Sequence, residues 1–156
     1  MKLNLECGES PRNGYLNITS RPLYGKFDTS TEILMGRFDN LNPIVEDNSC
    51  DIIVFNKVLN IMPPEVLFKV MSHWRDKLKV GGILKISYID IRRLSLYMFR
   101  GDMDLGQIHN MVFGEDYINR SVLDLKTIQS TFKQMKYHID VISPESFAVS
   151  FEAIKV

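Results

Sequence analysis

The sequence is poor in several residues and patterns on which common protein classes depend. Cysteine occurs only at Cys7 and Cys50, which excludes a disulfide framework and a zinc motif and predicts reduced thiols in a cytoplasmic protein. The apolar runs are far too short for a membrane-spanning helix, and Met1 leads directly into a strand, so we expect neither a membrane anchor nor a signal peptide. The 19 basic and 19 acidic residues cancel, which argues against nucleic-acid binding. We predict no metal site.

Alanine is confined to Ala148 and Ala153, a bias that favours an AT-rich bacterial or phage genome. A phage origin would extend the expected location from the cytoplasm to the host cytoplasm or the virion. The chain also lacks internal repeats, low-complexity tracts and linkers rich in glycine and serine. Its 156 residues are enough to bury a core without disulfides or metals, so we predict one domain covering residues 1–156.

The sequence does contain an alternation of short apolar strands and amphipathic helices, which predicts an α/β fold. Strands are expected at 3–5, 15–18, within 31–38, at 51–56 and 83–89, and as a closing pair at 137–143 and 147–156 joined through Pro144-Glu145. Pro63-Pro64-Glu65 begins a helix that we expect Gly81-Gly82 to end, and Ser121 or Asp124 caps another. Residues 9–14 are too few for a crossover helix between the first two strands.

The pattern breaks down over an insertion at about 91–120. Residues 96–113 are rich in methionine, leucine and aromatic residues and carry few charges. Such a segment either packs on the core as a lid or forms a docking surface. We predict that part of it is exposed in the isolated chain and binds a protein partner or a second copy, with Tyr97 and Phe99 as anchors.

Three stretches of the sequence resemble one family in the right order. The first contains Lys2-Leu3-Asn4-Leu5, Cys7-Gly8 and Gly14-Tyr15-Leu16-Asn17; the others are residues 47–54 (DNSCDIIV) and 74–87 (WRDKLKVGGILKIS). They resemble the class I S-adenosylmethionine (SAM) dependent methyltransferases, in particular small members with a shortened first crossover. The resemblance implies a Rossmann-like fold with a mostly parallel seven-stranded sheet, an antiparallel edge hairpin and SAM as cofactor.

The resemblance also implies a cofactor site beyond the carboxyl ends of the strands, where open α/β sheets bind their ligands. Residues Glu6, Cys7 and Gly8 would face the methionine part of SAM, with Asn56 beside them. Thr19 would end the strand that reads the ribose. Asp39 would lie near the adenine, although the pattern around it equally fits a simple turn.

Two residues of this expected site depart from the family pattern. Glu6 replaces a glycine, so its carboxylate would either obstruct SAM and repel the SAM carboxylate or turn aside and hold the SAM amino group. Thr19 replaces an acid that would grip both ribose hydroxyls, and a threonine makes only a weaker hydrogen bond there. We therefore predict weak or absent SAM binding.

Two residues are candidates for acid–base catalysis. Asp90 follows the fifth strand, where carboxyl-end residues reach a site, and His109 lies in the insertion, where a surface histidine is the alternative. Two functions remain open. The first is methyl transfer to a small molecule or saccharide, driven mainly by proximity. The second is a catalytically inactive scaffold, assembly or binding subunit, for example of a phage particle or a bacterial complex.

Overall fold

The computed structural model describes residues 1–8, 10–20, 31–113 and 120–156. Its strands are β1 (Lys2–Leu5), β2 (Leu16–Thr19), β3 (Ile33–Met35), β4 (Cys50–Val58), β5 (Leu78–Ile89), β6 (Tyr137–Glu145) and β7 (Ala148–Lys155). Its helices are α1 (Pro64–Lys77), α2 (Ile91–Arg100), α3 (Leu105–Phe113) and α4 (Leu125–Gln134), with a 3-10 turn at Leu59–Ile61.

The strands form one seven-stranded sheet in the order β3-β2-β1-β4-β5-β7-β6. Neighbours from β3 to β5 are parallel, whereas β7 is antiparallel to both β5 and β6. This confirms the predicted mostly parallel sheet with an antiparallel hairpin at one edge. Because β1 and β4 are adjacent while β2 lies on the other side of β1, the strand order reverses beside the turn that follows β1.

Helices α1 and α4 contribute to one apolar core against one face of the sheet, which we call the covered face. The core joins Trp74 and Met71 of α1 and Phe132 of α4 to apolar side chains of β1, β4, β5 and β7. The strand residues alternate, so that Leu5, Phe55, Ile86 and Phe151 face this core while the residues between them point to the opposite face.

Two predicted boundaries were wrong. Helix α1 ends at Lys77 rather than at Gly81-Gly82, because Leu78 already pairs with Cys50 as the first residue of β5. The glycines instead lie in an irregularity of β5, where Gly81 has φ 79° and a Cβ on Gly82 would come within 3.0 Å of the Cys50 carbonyl oxygen. The closing hairpin turns at Ser146-Phe147 rather than at Pro144-Glu145, since β6 continues through Glu145, which pairs with Ala148.

The segment predicted as an irregular insertion contains two helices, α2 and α3. Helix α2 begins after Asp90, whose side chain caps it, and ends at Gly101 in the left-handed conformation. Only Leu94 of α2 is buried and no residue of α3 is, so these two helices contribute far less to the core than α1 does.

Candidate functional site

The turn after β1 carries Glu6 in an unusual conformation. Its φ is 51°, in the left-handed region that a non-glycine residue enters at a cost of about 1–2 kcal/mol. The side chain is only 5 % exposed and turns towards the end of β2, where its Oε1 accepts a hydrogen bond from the Ser20 N–H at 3.1 Å. Glu6 thus keeps the backbone shape of the expected glycine and delivers a carboxylate to the end of the neighbouring strand.

Cys7 and Gly8, which follow Glu6, belong to the same turn. Cys7 is buried and its backbone N–H donates to the Ile18 carbonyl at 3.2 Å. Burial, together with the nearby Glu6 carboxylate, raises the pKa of the Cys7 thiol, so the sulfur is a neutral apolar group rather than a nucleophile. Gly8 has φ 51°, and a Cβ there would meet nothing within 4 Å, so the turn leaves open space on that side.

A cleft of about 310 Å³ opens next to the end of β2. It is lined by Ser20, Arg37, Phe38 and Asp39, the last three from the loop after β3. Thr19 is buried at the base of this region, and its carbonyl accepts the Gly36 N–H at 3.0 Å, which ties β2 to that loop. The Glu6 carboxylate is bound to Ser20, so Glu6 and the cleft meet at the same backbone position.

Asp39 lies in a turn and lines the cleft, so the two sequence interpretations are compatible. Its carboxylate accepts two hydrogen bonds from Arg37, from Nε at 2.9 Å and from a terminal nitrogen at 2.6 Å. The guanidinium holds the pKa of the Asp39 carboxyl below its usual range. The loop is fixed from below by α1, because Trp74 Nε1 donates to the Phe38 carbonyl at 2.7 Å and His73 Nε2 accepts the Leu41 N–H at 2.8 Å.

Three asparagines connect the neighbouring parallel strands β2, β1 and β4. Asn4 Nδ2 donates to Asn17 Oδ1 at 2.6 Å and to the Ser10 carbonyl at 3.2 Å, and Asn56 Nδ2 donates to Asn4 Oδ1. Asn17 also holds the first crossover by accepting the Arg12 N–H at 2.8 Å and donating to the Arg12 carbonyl. This network positions Asn56, which we predicted as a site residue, through Asn4 and Asn17, which the sequence marked only as motif matches.

The sheet face opposite the core continues from these asparagines into a groove of about 290 Å³, here called the polar groove. Its polar lining comes from Arg12, Asn56, Lys85, Ser87, Ser143, Ser150 and Glu152. Lys85 Nζ and Glu152 Oε1 form an ion pair at 2.5 Å, with each side chain about one third exposed. A face that carries paired charges and hydroxyls in an open groove can bind a polar small molecule.

The two candidates for acid–base catalysis lie outside the cleft and the groove. The Asp90 carboxylate accepts backbone N–H bonds from Arg92 and Arg93 at the start of α2 and from Leu125 at the start of α4. These contacts, at 2.8–3.0 Å, are those of a helix cap shared by two helices. His109 is exposed on α3 beside the ring of Phe113. Their catalytic roles stay predictions.

Helices α2 and α3 carry a set of exposed apolar side chains, here called the α2–α3 surface. It consists of Leu96, Met98, Phe99, Leu105 and Phe113. Phe99 is 88 % exposed and Leu105 is 77 % exposed, whereas Tyr97 is half-buried and packs edge-on against Phe147. Of the two predicted anchors, therefore, Phe99 points outward and Tyr97 contacts its own domain.

The described ranges contain neither a membrane-spanning helix nor a cluster of metal ligands. None of the helices there is long and apolar enough to cross a membrane. No group of three His, Cys, Asp or Glu side chains in the same part of the chain could hold a metal ion.

Comparison with solved structures identifies the fold. A SAM-dependent methyltransferase from Archaeoglobus fulgidus matches with a TM-score of 0.68 at 10 % identity, over 99 % of this chain and 85 % of that one. A chain from the Haloferax volcanii complex between the Trm112 methyltransferase activator and its proposed methyltransferase partner gives 0.67 at 10 % identity, over 98 % and 81 %. Magnesium protoporphyrin IX methyltransferase from Synechocystis, solved with S-adenosylhomocysteine (SAH), gives 0.60 at 13 %, over 100 % and 74 %.

These matches show that the chain has the fold of the class I SAM-dependent methyltransferases. Neither a protein-family model nor a curated protein sequence matches it. The similarity is therefore one of fold, and a fold alone does not determine a reaction. The chemistry of the protein depends on the residues of its site.

Proposed function

We propose that the protein binds SAM weakly at the turn after β1 and transfers its methyl group to a small polar acceptor. The observation that carries this proposal is the cleft beside Ser20, which lies beyond the carboxyl ends of β2 and β3, one strand away from the topological switch point between β1 and β4. The Glu6 carboxylate is bonded to the Ser20 N–H at the edge of this cleft. The cleft volume of about 310 Å³ is at the lower end of the volumes found for small-molecule sites. The cleft is therefore large enough to hold the nucleoside part of SAM but not to enclose the whole cofactor.

The residues present fit SAM in part. The open turn at Gly8 offers space and backbone N–H groups to the methionine part, and the cleft with Phe38 and Asp39 offers an apolar wall and an acceptor to the adenine. Thr19, buried at the end of β2, provides no carboxylate for the ribose. The loss of charged hydrogen bonds worth about 1.5–3 kcal/mol predicts an affinity roughly tenfold to a hundredfold below that of an intact site.

SAM supplies an electrophilic methyl group on a sulfonium, so the protein's task is to bind and orient the acceptor. The polar groove is the acceptor site that we infer, because Asn56 and Arg12 border it on the side of the β1 turn and the hydroxyls of Ser87 and Ser150 line its floor. Such a lining favours a saccharide or another hydroxyl-rich molecule. In this proposal Asp90 acts as a helix cap and not as a base.

Titration calorimetry with SAH tests the cofactor proposal without requiring a known acceptor. We expect binding with a dissociation constant on the order of 0.1–1 mM, which corresponds to about 4–5.5 kcal/mol. Low-micromolar binding would contradict the predicted weakness of the site. The absence of heat at millimolar SAH would overturn the cofactor proposal itself and leave the second candidate.

The second candidate is a non-catalytic subunit that binds a protein partner or a second copy through residues 96–113. The exposure of Phe99 and Leu105 on the α2–α3 surface favours it, because several large apolar side chains exposed on two consecutive helices are typical of a surface that binds another protein. The Haloferax neighbour was solved with a protein activator, which supports a protein partner for this fold but does not identify one here.

Light scattering on purified protein tests this candidate. We expect the wild-type chain to self-associate and Phe99→Ser/Leu105→Ser to be a folded monomer, since both side chains lie outside the core. Val80→Ser is the matched control, because Val80 is also highly exposed but belongs to the start of β5. A wild-type monomer at high concentration would exclude the second copy and leave only a different protein as partner.

A further inference from the structure

The two departures of this chain from the family pattern lie next to each other in space. An acid is missing at Thr19, and a carboxylate has been added at Glu6. Strand β1 pairs with β2 so that Leu5 lies opposite Ile18, which brings the next residues, Glu6 and Thr19, to the same level at the carboxyl ends of the two strands. The Glu6 carboxylate then reaches one residue further and binds the Ser20 N–H. A carboxylate is therefore present at the end of β2, although it comes from β1.

We propose that Glu6 takes over part of the role of the missing acid and binds the ribose diol of the cofactor, more weakly than an acid on β2 itself because its carboxylate reaches across from β1. This inference rests on the proposed SAM site and specifies how that site holds the sugar. A carboxylate offers about four lone-pair directions, and among the described residues the Ser20 N–H takes one of them, which leaves acceptor capacity for two hydroxyl groups. Ser20 itself lines the cleft, so a nucleoside bound there would place its sugar beside the residue to which Glu6 is bonded.

The conformation of Glu6 supports a functional role. A left-handed backbone is unfavourable for a glutamate, and burying its carboxylate is unfavourable unless the charge finds partners. A glycine would relieve both penalties without changing the turn. Backbone conformations of this kind concentrate at binding sites, where the side chain that they position is used.

The opposite interpretation is that Glu6 obstructs the cofactor, and one substitution separates the two. Glu6→Gly removes the carboxylate and suits the observed φ of 51°, so the variant should fold at least as well as the wild type. If Glu6 binds the ribose, SAH affinity should fall at least about tenfold, so that the heat which the wild type gives at millimolar SAH is largely lost. If Glu6 obstructs the site, the same variant should bind SAH more tightly.

Calorimetry with two further probes identifies the group that Glu6 contacts. Adenosine and 2′,3′-dideoxyadenosine differ only in the diol, so the wild type should prefer adenosine, and Glu6→Gly and Glu6→Gln should lose that preference. Thr19→Asp added to Glu6→Gly should restore it by returning an acid to β2. Glu65→Gln, an exposed change in the first turn of α1, is the matched control and should behave as the wild type.

The outcomes distinguish this inference from the proposed function. Wild-type protein that binds no SAH overturns both. Wild-type protein that binds SAH, with Glu6→Gly binding as tightly or more tightly, overturns only the ribose role and leaves the cofactor site standing. Equal binding of adenosine and its dideoxy analogue by the wild type would also contradict the ribose role.

Discussion

The two faces of the sheet use the same strands for different purposes. On the covered face, Leu5, Phe55 and Ile86 pack against α1 and α4 and are almost completely buried. On the opposite face the alternating positions carry Asn4, Asn56 and Lys85, which form hydrogen bonds and an ion pair around an open groove. Stability thus depends mainly on one face, and the other face is available for binding.

Asparagines on the face opposite the core also explain how the fold tolerates a short first crossover between β1 and β2. A crossover helix would normally cover β1 and β2, but the described residues between these strands form turns instead. Asn4 and Asn17 replace that cover with hydrogen bonds to the Ser10 carbonyl and to the backbone of Arg12. Because these amides are buried and satisfied, they anchor the loop without an apolar helix face.

The largest effect that we predict is on the covered face. Trp74 is fully buried, lies 5.0 Å from the Phe55 ring between centroids and donates to the Phe38 carbonyl. Trp74→Ala should lower the free energy of unfolding by about 3–5 kcal/mol, measured by urea denaturation. Trp74→Phe keeps an aromatic ring and removes the hydrogen bond, so it should cost less. A loss below about 1 kcal/mol for the alanine variant would contradict a single core on this face.

The next effect belongs to the polar face. Asn4→Leu fills a similar volume but leaves Asn56 Nδ2 without its acceptor and removes the donor to the Ser10 carbonyl. Each polar group left unsatisfied in a buried position costs about 1–3 kcal/mol, so urea denaturation should show a loss in that range or slightly above it. Asn42→Leu, in an exposed loop, is the control and should stay within about 0.5 kcal/mol of the wild type. An unchanged Asn4→Leu protein would show that the network does not hold the crossover.

The fold was predictable because local patterns and motifs agreed along the chain. The apolar stripe containing Val70, Met71 and Trp74 marks α1, and the run from Ile53 to Phe55 marks the central strand β4. The end of α1 was missed because pairing of Leu78 with Cys50 overrides the glycine signal that follows it. Helices α2 and α3 were missed because exposed apolar residues, such as Phe99 and Leu105, interrupt their polar faces and obscure the helical period in the sequence.

The candidate site was predictable in its location but not in its contacts. Glycines and strand ends indicated the turn around Glu6, but the bond from the Ser20 N–H to its carboxylate depends on the pairing of β1 with β2 and on the left-handed backbone of Glu6, which the sequence does not show. Asp90 illustrates the opposite limit, because a strand-end acid has the same sequence signal whether it faces a ligand or caps two helices. The polar groove depends on pairing between β5 and β7, as in Lys85 with Glu152, which are far apart in sequence.

A smaller effect, which depends on pH, is expected for the contribution of His73 to the free energy of unfolding. His73 belongs to α1 on the covered face and holds the loop that lines the cleft. Burial and the nearby Lys77 lower the pKa of His73, whose neutral Nε2 accepts the Leu41 N–H. The unfolded pKa is about 6.5, so this contribution to stability is complete above that pH and is lost as the pH falls through the lower, folded pKa. Urea midpoints measured from pH 8 to pH 5 should therefore fall more for wild type than for His73→Asn. His138→Asn, at an exposed position, should keep the wild-type slope.

The smallest effect should come from the ion pair in the polar groove. Lys85 and Glu152 are each about one third exposed, so water screens their attraction despite the 2.5 Å separation. A double-mutant cycle with Lys85→Met and Glu152→Gln should give a coupling energy of about 0.2–1 kcal/mol that nearly vanishes in 1 M salt, where the screening length is about 3 Å. A coupling well above about 2 kcal/mol that persists in salt would mean that the groove is shielded from solvent, and the contrast between a covered and an open face would then be wrong.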